Sequence, residues 1–232
     1  MIDVHSHILP RMDDGSASVE ESIELLSRLS AQGVTAAVAT PHFYAQRESV
    51  AQFLERRDTA YRLLAERLTA ALPSVLLGAE VRYYGGISRL TELPSLCIEG
   101  SRLLLLEMPF DRWTQSVVNE VVDLACRGNL TVVLAHIERY RGMQDRRVWE
   151  RLARSGVLFQ ANAEFFNAFL TRRKALKLLK AGAIHLLGSD CHGLAHRPPR
   201  IGEAFRVIDK ACGADFVSDF VSYGESLFDK LC

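Results

Sequence analysis

Short apolar runs, many of them β-branched, alternate along the chain with longer stretches of helical period. The runs predict strands at residues 2–5, 35–40, 75–80, 103–108, 131–136, 157–161 and 184–189. After the first, Ser18-Val-Glu-Glu21 reads as a capping box. Val19, Ile23, Leu26 and Leu29 then share one helical face, and Gly33 marks the end. The same period, with Leu63, Leu64 and Leu68, predicts a helix over 53–72. Further helices are expected at 115–127, 146–155, 172–181 and 202–211. Strand and helix alternating about seven times imply parallel strands joined by crossover helices, in an open doubly wound sheet or a closed barrel. With no internal repeat and no Gly-, Ser- or Pro-rich linker, residues 1–232 read as one domain.

Composition narrows the function more than the fold. The 232 residues are 48% apolar, enough for a sizeable core without disulfides or a structural metal. The 28 Lys and Arg balance 28 Asp and Glu, which argues against a nucleic-acid partner held by a basic surface. Of the basic residues 23 are Arg, the side chain suited to bidentate grip on phosphate. The five cysteines (97, 126, 191, 212 and 232) are scattered and form no Cys-x-x-Cys, so a reducing cytoplasm is expected rather than a disulfide framework. No run approaches the roughly 18 apolar residues of a membrane span. The opening Met-Ile-Asp-Val-His-Ser-His is polar too early for a signal peptide.

The chemistry gathers where the expected strands end. The first gives His5 and His7, the second runs into His42, the third and fourth reach Glu80 and Glu107, the fifth His136, and the seventh Asp190 and His192. Active sites of barrels and doubly wound sheets are built at that end of the strands. On an extended strand His5 and His7 point to one side and can share a metal, with Asp3 supporting them by the same parity. A carboxylate ending an apolar strand is costly unless paired with an Arg or bound to a metal; Glu80 and Glu107 together favour metal. Asp14, in an Asp-Asp-Gly turn above His5 and His7, joins the set. Nine imidazole and carboxylate donors exceed what one ion can use, so two to three ions are expected, with Mn, Fe or Zn suited to them. Arg139 and Arg197, on the rim, are placed to grip phosphate. His185 reads as structural.

Cys191 and Arg197 also match the Cys-x5-Arg loop of cysteine-dependent phosphatases. That loop lacks the glycines needed to turn its N–H groups inward, and Pro198 and Pro199 remove two donors. A cysteine mechanism leaves the His and Glu constellation without a purpose.

Taken together, Asp3-Val-His-Ser-His-Ile8, Asp13-Asp-Gly15, Thr40-Pro-His42, Gly78-Ala-Glu80, His136-Ile-Glu-Arg-Tyr140, Ser189-Asp-Cys-His192 and Arg197-Pro-Pro199 resemble the polymerase-and-histidinol-phosphatase (PHP) superfamily. Within it they most resemble the CpsB/YwqE type of manganese-dependent bacterial protein-tyrosine phosphatase. The resemblance runs from the first residues to about residue 200. It implies a distorted (β/α)7 TIM-like barrel and three ions, manganese first among them. One ion would be held by His5, His7 and Asp190, sharing Glu80 or Glu107 with a second that also uses His136. A third would take Asp14, His42 and His192. Arg139 and Arg197 match the positions expected near the phosphate. The implied partner is the phosphotyrosine tail of a bacterial tyrosine kinase that regulates capsule or exopolysaccharide synthesis, attacked by metal-activated water. Residues 160–166 are bulkier and more acidic than the type leads one to expect, and the chain runs only briefly past Leu227; neither feature is expected to touch a proposed ligand. Alternatives are a PHP phosphatase of a small phosphomonoester such as histidinol phosphate, a metal-dependent C–N hydrolase, and a non-catalytic metal-binding regulator. The C–N hydrolase lacks a strand-end Lys to bridge its metals.

Overall fold

The first strand, β1 (Ile2–Ser6), pairs in parallel with β2 (Ala36–Ala39), and β2 with β4 (Ser74–Leu77). A second ladder runs β3 (His42–Phe43), β5 (Glu80–Arg82), β6 (Leu103–Glu107), β7 (Thr131–Leu134), β8 (Leu158–Asn162) and β9 (Leu186–Gly188), again all parallel. These elements come from a computed structural model that describes residues 1–228; Cys232 and the rest of the expected domain beyond 228 lie outside the described residues.

The two ladders are one curled sheet of seven staves. Two staves are broken. Pro41, which has no N–H to give the ladder, separates β2 from β3, and Gly78-Ala79 separates β4 from β5. The breaks stay in step through Gly78 N–H to Ala39 O at 2.9 Å and Glu80 N–H to Pro41 O at 3.0 Å. At the other edge Asp190 N–H donates to His5 O at 2.8 Å and His7 N–H to Cys191 O at 2.9 Å, bringing the last stave back to the first. The expected strand over 75–80 is therefore two strands, and Glu80 opens the second rather than closing the first. It pairs in register with His42.

Alternation along the staves sorts the core into two layers. Ala37, Ala39, Leu104, Leu106, Val132 and Leu134 pack with helix residues such as Leu25 and Leu26. Val38, Leu105, Val133, Ala135 and Leu186 form a smaller cluster with Ile2 and Val4. Between Asp3 and Ser6 the pairing of β1 with β2 slips, as in a bulge, so that Val4 joins this cluster while His5 and His7 face the site.

The helices are α1 (Val19–Ser30), α2 (Val50–Ala65), α3 (Gln115–Cys126), α4 (Arg146–Arg154), α5 (Ala163–Asn167), α6 (Phe169–Lys180), α7 (Ile201–Cys212) and α8 (Ala214–Ser226). Half of the expected capping box of α1 forms. Ser18 Oγ accepts from Glu21 N, while Glu21 reaches Ala17 N at 2.9 Å and, across the barrel rim, Leu194 N at 3.1 Å. The full box caps α2 instead, between Ser49 and Gln52, so that helix starts and ends earlier than expected. Its buried face is Phe53, Ala60 and Leu64, and Leu63 is exposed. The pattern alone did not predict α5 or α8. No helix among the described residues is long and apolar enough to cross a membrane.

Candidate metal centre

Above the inner apolar layer the staves deliver a buried cluster of donors. His5 Nε2 faces His7 Nε2 at 3.3 Å; Glu80 Oε2 lies 3.4 Å from each, and Asp190 Oδ1 lies 3.6 Å and 3.5 Å away. Edges of this length suit ligands about 2.0–2.2 Å from a shared centre. Glu80 also meets His42 Nδ1 at 2.9 Å and, through Oε1, His136 Nε2 at 2.8 Å. Four imidazoles thus ring one carboxylate, the arrangement a bridging ligand needs. Glu107 Oε1 is 3.4 Å from His136, but its Oε2 is held by Arg82 at 2.7 Å, so the ion-pair reading of this carboxylate is also realised. Asp14 is the one exposed member, at 68%; its Oδ1 sits 3.5 Å from both His42 Nε2 and His192 Nε2. Three groups have donor atoms within 4.8 Å of one another: His5, His7 and Asp190; His7, Asp14, His42 and His192; and His42, Glu80 and Glu107. These groups hold eight of the nine expected donors, and the ninth, His136, joins them through Glu80 and Glu107. Hard oxygens and imidazoles without thiolates fit Mn, Fe or Zn in a catalytic rather than a structural site.

The electrostatics follow from crowding opposite charges out of water. Burial opposes charge on His7, yet Asp13 and Glu80 hold its pKa up at about 10; on His136 burial is likewise outweighed, by Glu107 and Glu80, and the value is about 9. Burial would raise Glu80 and Asp190, but His5 with His136 and His42 pulls Glu80 well below the carboxylate range, and His5 with His7 does the same for Asp190. His192 goes the other way, down to about 4, through burial, His7 and Arg197. Its Nδ1–H donates to Asp190 O at 3.0 Å, leaving Nε2 as the acceptor for Arg197 at 2.9 Å.

Both expected arginines reach this cluster. Arg139 meets Asp190 Oδ2 at 2.5 Å and Arg197 pairs with the same oxygen. Four non-glycine residues among those described have positive φ, and His136 (31°), Asp190 (52°) and Arg197 (55°) are three of them. Strain of this kind costs on the order of 1–3 kcal/mol per residue and persists where a site's geometry demands it.

The family model for capsular polysaccharide synthesis, CpsB/CapC, matches residues 1–226. The chain belongs to the CpsB/CapC family. Among similar proteins, the tyrosine-protein phosphatase CpsB of Streptococcus pneumoniae is 32% identical, covering 92% of each chain. The tyrosine-protein phosphatase YwqE of Bacillus subtilis is 31% identical over 93% of this chain and 86% of its own. In three dimensions the chain matches a crystal structure of the YwqE and CpsB pair, described as unique metal-dependent tyrosine phosphatases, with TM-score 0.82 and 28% identity over 98% of this chain and 94% of the other. The histidinol phosphate phosphatase of Lactococcus lactis shares the fold at TM-score 0.57 and 13% identity, covering 91% and 95% of the two chains.

In this CpsB/CapC chain several groups that sequence spacing left out hold the donors in place. Asp13 Oδ2 accepts from His7 Nδ1 at 2.7 Å and from His42 N at 2.9 Å. Gln160 Oε1 accepts from His5 Nδ1 at 3.2 Å and His136 N at 2.7 Å; its Nε2 donates to Asn162 Oδ1, and Asn162 Nδ2 donates to Asp190 Oδ2 at 2.6 Å. The expectation that residues 160–166 touch no proposed ligand is thus overturned, because Gln160 and Asn162 alternate onto the inner face of β8. Asp3 is corrected too. The slip in β1 breaks the assumed parity, and its Oδ1 accepts from Ser189 N at 2.7 Å and His5 N at 3.4 Å, not from an imidazole. Gly15 is required: a Cβ there would lie 2.2 Å from His7 O. Cys191 is fully buried, which pushes its thiol pKa up. The thiolate route loses its nucleophile. His185 accepts from Phe159 N at 3.1 Å, the structural role expected.

Proposed function

We propose that this chain is a metal-dependent protein-tyrosine phosphatase of the cytoplasm. Its substrate would be the phosphotyrosine tail of a bacterial tyrosine kinase that regulates capsule or exopolysaccharide synthesis. The observation that carries this reading is the convergence of Arg139 and Arg197 on one oxygen of Asp190, directly beside a buried carboxylate ringed by four imidazoles. The tyrosine-phosphatase names of relatives above 30% identity supply the substrate class.

His5, His7 and Asp190 would hold one ion, Glu80, Glu107 and His136 a second, and Asp14, His42 and His192 a third, with Glu80 as the bridge. Manganese is the metal proposed, in two to three ions; the same donors accept Fe or Zn. Once bound, the metals supply Lewis acidity that activates water and neutralises phosphate oxygens. The protein does the rest. Arg139 exchanges the Asp190 oxygen, and Arg197 both that oxygen and His192 Nε2, for phosphate oxygens, which leaves His192 Nε2 free to hold an ion and puts both forks where charge develops in the transition state. Asn162 keeps Asp190 Oδ2 hydrogen-bonded when they leave. Gln160 and Asp13 fix the Nδ1–H tautomers of His5 and His7, which leaves each Nε2 as the nitrogen that would hold an ion.

The test is hydrolysis of a phosphotyrosyl peptide by protein stripped with a chelator and then titrated with Mn²⁺. Activity lost on stripping and restored by Mn²⁺ is the expected result. Activity that survives stripping removes the metals from the mechanism.

A further inference from the structure

A cleft of about 520 Å³ opens beside the metal centre, and three residues of that centre, Arg139, Asp190 and Arg197, line it. Its other wall comes from α5 and the start of α6, with Phe165, Ala168 and Thr171. Phe169 and Leu170 lie between the last two in sequence, 86% and 92% exposed and outside the cleft's lining, so the segment that continues this wall, its outer lip, carries a large apolar pair. We propose that this cleft and lip receive the tyrosyl ring and an adjoining apolar residue of an extended phosphopeptide; the inference rests on the phosphatase reading above.

Three independent features argue for that occupant. The first is continuity with charge complementarity. A dianionic phosphate held by Arg139 and Arg197 has its ester substituent leaving the metal centre where those same arginines border the cleft. The second is size, since a volume of this order houses ligands well beyond a single ring. The third is Glu138, which also lines the cleft. Its Oε1 accepts from Asn162 N at 3.2 Å, but its buried Oε2 has no hydrogen-bond partner. A buried acceptor without a donor is costly, and the N–H of an extended peptide in the cleft would meet that need. Phe169 and Leu170 then have a purpose that the phosphate chemistry does not give them. An exposed apolar pair next to a polar binding cleft is surface that a bound chain would gain by covering.

The experiment compares metal-loaded wild type with Phe169→Ser/Leu170→Ser on two substrates, free phosphotyrosine and a phosphotyrosyl peptide with leucine on both sides of the tyrosine. Both side chains are exposed, so the fold is unaffected by their loss, and circular dichroism with a melting curve checks this. For the peptide, KM is expected to rise about tenfold with kcat unchanged, the loss of one well-buried apolar contact. For free phosphotyrosine both constants are expected to stay at the wild-type value. Restoring bulk with Phe169→Leu/Leu170→Met is expected to return the peptide KM. Equal losses on the two substrates, or no loss on either, overturn the proposal. So does unchanged kinetics together with a shift in sedimentation, which would assign the lip to a second copy of the chain. If wild type hydrolyses neither substrate, the phosphatase reading falls and takes this inference with it; if it hydrolyses both and the variant matches it, only the docking site falls.

Discussion

Asp13 is where a single side chain reaches furthest into the chemistry. It accepts from His7 Nδ1 and His42 N, so it fixes one imidazole's tautomer and the backbone that carries another. Outer partners of metal ligands typically control metal affinity by 10–100-fold. Asp13→Ala is therefore expected to weaken Mn²⁺ binding by about that factor with the barrel intact, as read by calorimetric titration; unchanged affinity would return Asp13 to ordinary turn chemistry. Arg139→Ala is expected to lower kcat on a phosphotyrosyl peptide by on the order of 10²–10³, the cost of losing one charge-stabilising donor. Arg139→Lys is expected to recover little, because an ammonium cannot reproduce the fork. Eight of the nine donors were legible because His, Asp and Glu where apolar strands are expected to end have few other uses, and Asp14 followed from its turn above them. Their supporters were not. An Asp before Asp-Gly looks like a turn, and Gln160 and Asn162 carry no charge to betray a buried role.

Elements explain which parts of that geometry were out of reach. The expected strand over 75–80 spans two strands because Gly78 packs where a Cβ would lie 3.1 Å from Ile98, and its carbonyl is held by Arg57 Nη1 at 3.3 Å. A local apolar run contains neither fact. The helix α8, by contrast, shows Phe216, Val217, Phe220 and Val221 at helical spacing and could have been read. Closure of the sheet depends on Gly188 in β9. A Cβ there would lie 2.4 Å from His5 Cβ and 2.9 Å from Gln160 Nε2, so β8, β9 and β1 meet only without a side chain. Gly188→Ala must push these staves apart. The expected loss is about 1–3 kcal/mol of unfolding free energy, the usual range for overpacking, together with loss of metal affinity. Denaturant unfolding measures the first and Mn²⁺ titration the second. A variant that keeps full affinity would mean that His5 can shift without leaving the cluster.

At the scale of the whole molecule the cluster ties stability to metal and to pH with opposite signs. In the metal-free fold the pKa values of His7 and His136 stand at about 10 and about 9, above the ordinary imidazole value of about 6.5. Groups raised on folding stabilise the fold fully below their unfolded pKa, and that contribution drains away as pH climbs through the folded value. Stripped protein is therefore expected to lose melting temperature steadily from pH 6.5 to 8.5. Metal ligation demands neutral imidazoles, so ions must displace these protons and bind more tightly as pH rises. At a free Mn²⁺ concentration of about 100 Kd, binding adds about 2.7 kcal/mol. For a chain of this size that is roughly 5–10 °C in melting temperature. The gap between loaded and stripped melting curves is thus expected to widen with pH, because one curve falls while ligand binding supports the other. Scanning calorimetry at three pH values decides it. A stripped curve that is flat over this range would mean that His7 and His136 are not held protonated, and that the carboxylates around them are balanced in some other way.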